Sequence, residues 1–294
     1  TNVQYGVQYT LKISGYSTEA NQVKVVIPEG VVTDKDDASS QNNKNKETEL
    51  IVYNALRKTD TEQEATSGFL GNDKIERQNI YNVTFEKSIP NSMYNHIEKK
   101  IADNVRAWDI SAQGDQSIIA WYVDSEIRNG TYKIHIATNE QVPGGSEITN
   151  TEIFANQNSS YLFNYIGSSD KCTATEVITN IELLDVNSVT NMSYMFSNTG
   201  YKAMTSLDLG AKFSTANVTD MSYMFNNTGA TAMTALNLED KFDTSKVENM
   251  SHMFTNAGTT AMTSLDLGTK FDTSKVTDMS SMFWSCSGLT SIDV

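Results

Sequence analysis

Hydrophobic residues return at fixed intervals through the second half of the chain. Met192-Ser-Tyr-Met-Phe196, Met221-Ser-Tyr-Met-Phe225, Met250-Ser-His-Met-Phe254 and Met279-Ser-Ser-Met-Phe283 stand 29 residues apart, and a fixed period marks an architecture rather than a catalytic motif. Inside one period, Phe213 to Phe242, Leu236-Asn-Leu238 alternates apolar with polar and predicts a short strand that shows each second residue to one face. Leu207-Asp-Leu209, Leu265-Asp-Leu267 and Ile292-Asp-Val294 repeat the pattern. Val218, Met221, Met224 and Phe225, at i, i+3, i+6 and i+7, predict the apolar stripe of a short helix. Ser245 and Glu248 carry the S-x-x-E spacing of a capping box at the start of such a helix. Ser160-Tyr-Leu-Phe163 precedes the next copy by 33 residues and reads as a degenerate first unit.

The first half is patterned differently. Tyr9, Leu11 and Ile13 alternate with polar residues, Val23 to Ile27 precedes Pro28, and Leu50 to Tyr53 resumes after the polar run 34–47, which predicts strands around a long loop. Thr59 to Asp73 is polar and reads as a linker or loop. Ile80 to Phe85 predicts a strand, and Pro90 breaks the pattern. Tyr94, Ile97, Ile101 and Val105 then fall on one side of a helix. Ser117 to Val123 and Thr131 to Ala137 predict two strands joined by a turn ending Asn129-Gly130. Together these elements predict an α/β solenoid. It comprises a right-handed, leucine-rich-repeat-like coil of 29-residue repeats over 155–294, an α+β cap over 74–154, and a β-sandwich-like segment over 1–73.

Methionine adds to the repeat reading, because eleven of the twelve lie between Met192 and Met282 at recurring positions. Burying a Met side chain is worth about 1.5–3 kcal/mol, and its unbranched thioether fills irregular gaps between neighbouring units. These positions therefore read as packing rather than as a soft-metal site, and no metal or other cofactor is expected. Cys172 and Cys286 each lie six residues before a strand position, Ile178 and Ile292, in the first and last units. Units stacked at ~4.8 Å would hold them about 19 Å apart, beyond the ~7 Å reach of a disulfide. Two free, buried thiols are expected.

A net charge of −14 disfavours a phosphate-backbone partner. All four arginines (Arg57, Arg77, Arg106, Arg128) precede the repeats, so nucleic acid is excluded as the expected partner. No run of 18 apolar residues is present, so no membrane insertion is expected within this sequence. There is no G-x-S-x-G elbow, no glycine-rich phosphate loop and no H-E-x-x-H, and His96, His135 and His252 sit in unrelated segments. A non-catalytic protein is the expectation. A carbohydrate-active enzyme is a lesser alternative, since a glycosidase carboxylate pair has no spacing rule. Candidate ligand-binding residues are the outward strand positions Ser206, Asp208, Ala235, Asn237, Ser264, Asp266, Ser291 and Asp293. They would form two parallel rows, a shallow, acidic, hydrogen-bonding strip of the kind that repeat proteins present to partners. Tyr194, Tyr223, His252 and Ser281 form a second row that reads as solvated outer face.

Phe271-Asp-Thr-Ser-Lys-Val-Thr-Asp-Met-Ser-Ser-Met-Phe283, followed by Cys286, Leu289 and Ile292-Asp-Val294, resembles the BspA-like leucine-rich repeats of bacterial surface proteins. Asn104 to Asp109, Gly114 to Tyr122 and Ser159 to Phe163 are similar to the lead-in such proteins carry, and the V-x-V-x-I-P-E-G run from Val23 to Gly30 resembles the closing strands of a bacterial Ig-like sandwich. The resemblance implies an extracellular, cell-surface-attached adhesin or interaction protein whose anchor lies outside these residues. It implies as partner a host extracellular-matrix or cell-surface protein or glycan, or other bacterial cells. A structural spacer presenting another domain is the alternative.

Overall fold

The computed structural model describes two strands in 1–53, most of 55–139 with short breaks, and 153–293 apart from 239 and 241. The strand expected around Tyr9 and the loop over 34–47 lie outside the described residues. The chain divides into two compact units, Thr1–Tyr53 and Asn54–Val294. In the first, β1 (Val23–Ile27) pairs antiparallel with β2 (Thr48–Val52), both at predicted positions.

The second unit starts with β3 (Gly68–Phe69) and β4 (Asn72–Glu76), followed by β5 (Ile80–Phe85). The predicted helix at 94–105 is absent from the residues described there: β6 (Tyr94–Asn95) and β7 (Lys100–Ile101) pair antiparallel instead. β8 (Ala107–Asp109), β9 (Ile118–Trp121) and β10 (Tyr132–Thr138) follow. Beside β10, Asn129 (φ 51°) and Gly130 (φ 78°) form the predicted turn, closed by Arg128 and Thr131 bonding each other's backbone. Two positive φ values in a two-residue loop suit the right-handed twist of a hairpin. Then come β11 (Ile153–Phe154), β12 (Ile178–Thr179) and β13 (Leu184–Asp185). β14 (Ser206–Asp208), β15 (Ala235–Asn237), β16 (Ser264–Asp266) and β17 (Ser291–Asp293) complete the series. A five-stranded sheet runs β12-β5-β10-β9-β8, so a strand of the first repeat is also the edge of the upstream sheet.

The expected α/β solenoid is corrected by this architecture. No α-helix occurs among the described residues, whose helical elements are three-residue 3-10 turns such as Arg77–Asn79 and Ile181–Leu183. The sheets are small: the repeat strands pair two by two, β14 with β15 and β16 with β17. The α+β cap is likewise a β structure in the residues described.

Backbone donors explain the missing helices. In Met192 to Thr199, the N–H groups of Met195, Ser197 and Thr199 close local turns onto Met192, Tyr194 and Phe196. Those of Met192, Tyr194, Phe196 and Asn198 instead reach the carbonyls of Asp220, Ser222, Met224 and Asn226 in the next repeat, at 2.7–2.9 Å. An α-helix would use every interior N–H internally. Here half of them leave the segment, which requires Tyr194 and Asn198 to adopt left-handed φ of 58°. The same alternation holds around Tyr223 and His252. Buried positions three and four apart arise from successive turns as readily as from a helix, which is why the periodicity misled. The predicted capping box also differs: the Asp243 carboxylate accepts the Ser245 N–H at 2.9 Å, while the Glu248 N–H bonds Thr219 of the preceding repeat.

Stacking across the ladder forms the core. Phe163, Phe196, Phe225, Phe254 and Phe283 lie ring on ring at 5.4–5.6 Å. Every methionine from Met192 to Met262 is fully buried, as packing requires. Gly229 (φ +50°) shows how tight this is, since a Cβ there would sit 2.5 Å from Met233 Cβ. Both cysteines are free, but only Cys172 is buried and Cys286 is half-buried. Nor are their roles equivalent. The Cys286 thiol donates to the Phe254 carbonyl as the Thr228 hydroxyl does to Phe196, whereas Cys172 bonds Gln78 in the upstream region. Burial pushes the Cys172 thiol up to about 11.

The turns of each repeat donate forward to the next, and the first end of this series is capped. Carbonyls of the first repeat have no preceding unit to receive; Thr59 Oγ1 takes Ser160 O at 2.5 Å. The fully buried Arg77 donates through Nη1 to Tyr161, Leu162 and Asn164 carbonyls at 2.9, 3.1 and 3.2 Å. Its guanidinium also lies over the Phe69 ring at 5.5 Å. Burial lowers the Arg77 pKa to about 9, a measure of the cost of placing that charge in the interior. Substituting Arg77→Leu should lower stability by roughly 2–4 kcal/mol in denaturant unfolding, because buried carbonyls lose their donor; unchanged or raised stability would refute the capping role. A second prediction concerns acid. Hydrogen bonds from Ser245, Ser274 and Ser280 hold the Asp243, Asp272 and Asp278 carboxyls below the usual aspartate value. Their folded values lie under the unfolded one, so their contribution is complete above ~4 and is lost as pH falls through the folded values. Thermal midpoints should stay level from about pH 7 to 5 and drop below about pH 4.

Candidate functional site

The eight outward strand positions are all exposed, while Leu207, Leu236 and Leu265 between them are buried. Alternation along each three-residue strand produces that division. Parallel register sets Ser206 beside Ala235 and Asp208 beside Asn237, and Ser264 beside Ser291 and Asp266 beside Asp293. The rows are thus hydrogen-bonded in two pairs of strands. Two of the carboxylates have local work: Asp208 Oδ1 accepts the Gly210 N–H at 2.9 Å and Asp266 Oδ1 the Gly268 N–H at 2.8 Å. Each closes a turn in which the glycine takes a positive φ, 71° and 75°. These turns engage Oδ1 of each aspartate.

Ser206 and Asp208 also line a depression of about 240 Å³, together with Glu176, Asn180 and Glu182. A second depression of about 340 Å³ adjoins it across Glu182 and includes Asp185, Asn187 and Lys212. Both form where the repeat is irregular: Asn180 adopts φ 57° and gives its amide to Phe85 O, and the 3-10 turn Ile181–Leu183 follows. The strand rows therefore lead into a polar recess at their first end. Glu176, Asn180 and Glu182 were not singled out in the sequence, since none sits at a recurring repeat position; Lys212 does recur, with Lys241 and Lys270, and was overlooked.

Comparison with known proteins bears on this half of the chain. A family model described as "Mycoplasma protein of unknown function, DUF285" matches residues 168–292. Both depressions and most of the repeats lie within that span, while the first unit around Ser160 to Asn164 and the region before it lie outside. No curated protein and no solved structure matches the chain.

The second outward row is a half-buried ladder rather than a solvated face. Tyr161, Tyr194, Tyr223 and His252 stack in sequence at 4.7, 4.5 and 4.5 Å. Ring faces are spent on one another, which leaves edges and polar tips outward. Burial, then the neighbouring phenols, pushes the Tyr194 hydroxyl up to about 12.

One charged cluster escaped the sequence reading because its members are far apart in the chain. His135 on β10 has Nδ1 at 2.9 Å from Glu86 Oε1 and Nε2 at 2.7 Å from Glu126 Oε2, and its ring stacks on Trp121 at 5.3 Å. Both ring nitrogens and one face are occupied, so the imidazole is a strut between two segments and presents no free nitrogen to a substrate. Among the described residues no group of three or more His, Cys, Asp or Glu is placed to hold a metal, and no helix is long and apolar enough to cross a membrane. Replacing His135 with Ala should cost about 2 kcal/mol, the scale of hydrogen bonds to charged groups, measured by denaturant unfolding; a loss below ~0.5 kcal/mol, the scale of ordinary surface changes, would show that the strut contributes nothing.

Proposed function

We infer that this chain is a non-catalytic interaction protein of a bacterial cell surface that binds a protein or glycan through its strand face. The observation that carries the reading is the coincidence of exposed strand rows with two adjoining polar recesses at their first end. Small side chains beside Asp and Asn leave room for a ligand to approach the strands and hydrogen-bond outward oxygens. The recesses supply concavity, in which a partner's side chain or sugar ring loses more surface to solvent than on a flat sheet. Carboxylates Glu176, Glu182 and Asp208 around the first recess favour ligands bearing amines or guanidinium groups. Extracellular location, attachment through residues outside this sequence, and a host-matrix, host-cell or microbial partner belong to the same proposal. The family match over 168–292 agrees with a repeat protein of the kind but assigns no role.

A spacer function is the second reading, favoured by ring stacks and backbone bonds that run through successive repeats without interruption. Adherence of chain-coated beads to host matrix and to bacterial cells separates the two. Saturable adherence should fall about tenfold, or 1.4 kcal/mol, in the double variant Glu182→Lys, Asp208→Lys, both sites being exposed. Adherence no greater than that of an unrelated acidic protein would favour the spacer, and adherence insensitive to the double variant would move the binding surface elsewhere.

A further inference from the structure

The two recesses are parts of one cleft between successive repeats. Segments 176–187 and 206–214 are tied at one end by the Thr205 N–H, which donates to the Thr175 carbonyl at 3.0 Å. At the other end the Asn217 side-chain amide donates to Asn187 O and the Thr219 N–H to Thr190 O, both at 2.8 Å. Between these ties no backbone hydrogen bond joins the two segments among the described residues. The first repeat spends its strands elsewhere: β12 pairs with β5 and β13 with β11, while β14 turns to β15. The seam stays unzipped along its middle, and both recesses open there. Glu182 stands on the boundary between them, its stem against Gly210, where an added Cβ would lie 3.5 Å from Glu182 Cβ.

The cleft changes chemical character along its length. The first recess, of about 240 Å³, is lined by Glu176, Glu182 and Asp208 and by no cationic side chain. Ionised carboxylates only accept hydrogen bonds. The second, of about 340 Å³, contains Lys212, the one ammonium in either lining, and an ammonium only donates. Of the acids in that second recess, Asp185 already accepts the Asn187 N–H at 2.7 Å, and Glu182 is shared with the first. Among the described residues no ion pair or side-chain hydrogen bond engages the Lys212 ammonium or the carboxylates of Glu176 and Glu182, and all three residues are exposed. No aromatic side chain lines either recess, so a sugar ring finds no flat apolar partner there.

We propose that this cleft binds a polypeptide segment carrying a basic and an acidic side chain on one face, the basic group in the first recess and the acidic group on Lys212 in the second. Lys212 is then the specificity-determining residue. It pairs with the ligand's anion and repels a second cation, the attractive and the repulsive half of discrimination. The inference rests on the strand-face reading and narrows its ligand to a peptide of mixed charge.

Fluorescein-labelled serine peptides with blocked ends, carrying Lys and Glu, two Lys or two Glu, test it against the full chain by fluorescence anisotropy. One or three serines between the charges set them about 7 or 13 Å apart on one side of an extended chain. The better of the two Lys–Glu peptides should bind about tenfold more tightly than the matching Lys–Lys or Glu–Glu peptide. In the Lys212→Glu variant the order should reverse: the Lys–Glu peptide weakens about tenfold and the Lys–Lys peptide gains. Equal affinity of the Lys–Glu and Lys–Lys peptides for the unaltered chain would overturn the proposal, as would an unchanged order in the variant. So would the absence of Lys–Glu binding up to ~1 mM, or displacement of that peptide by neutral maltotriose, which would make a glycan the occupant. Bead adherence that persists beside any of these results, and still falls in the Glu182→Lys, Asp208→Lys variant, would leave the strand-face reading standing with another ligand; adherence no greater than that of an unrelated acidic protein would end both.

Discussion

Everything in the repeat half rests on one kind of hydrogen bond made again and again: a backbone N–H of one unit to a carbonyl about 29 residues away in the next or the preceding unit. That bond holds neighbouring units near the ~4.8 Å spacing of adjacent strands. Once the backbones are so placed, side chains at equal positions must lie on one another. The Phe stack at 5.4–5.6 Å and the Tyr–His stack at 4.5–4.7 Å follow from it. Left-handed φ at non-glycine positions costs roughly 1–2 kcal/mol each. Ring pairs return about 0.5–1.5 kcal/mol beyond burial, and the saturated backbone groups avoid a penalty of similar size. Turns rather than helices are the result.

The Met-x-x-Met-Phe turns donate forward to the following repeat, while Thr219, Thr234 and Glu248 donate back to the preceding one. The first end needs donors, and the molecule supplies them from the upstream region as a threonine hydroxyl and a guanidinium. The Arg77 charge is taken fully out of water to do this, a demanding solution that makes sense only because three carbonyls converge on it. It also ties the upstream sheet to the repeats, as does the pairing of β12 with β5.

Regularity and function pull apart along this chain. Where the period is strict, the outer surface repeats small and acidic residues with little relief. Where it fails, around Asn180 to Asn187, the backbone leaves the register and two recesses open beside Ser206 and Asp208. Chemical variety is greatest at that seam, with Glu176, Glu182, Asp185 and Lys212 in reach of the strand rows. His135, by contrast, is enclosed by Glu86, Glu126 and Trp121, and so serves the upstream sheet instead.

What the amino-acid order determined alone was whatever depends on residue identity at a fixed separation. That includes the 29-residue period, the inward Leu, Met and Phe positions, the outward Ser, Asp and Asn positions, the Asn129-Gly130 turn and the strands at 23, 48, 80, 118 and 132. What only the tertiary structure decided was where backbone donors go. Apolar residues spaced i, i+3 and i+4 satisfy a helix and a chain of turns equally, and the choice fell to the neighbouring repeat, which offered carbonyls at the right distance. Arg77 on the first repeat, His135 between two glutamates and Glu182 between two recesses share that origin. Each depends on groups separated by tens of residues, and no local spacing records which distant partner will arrive.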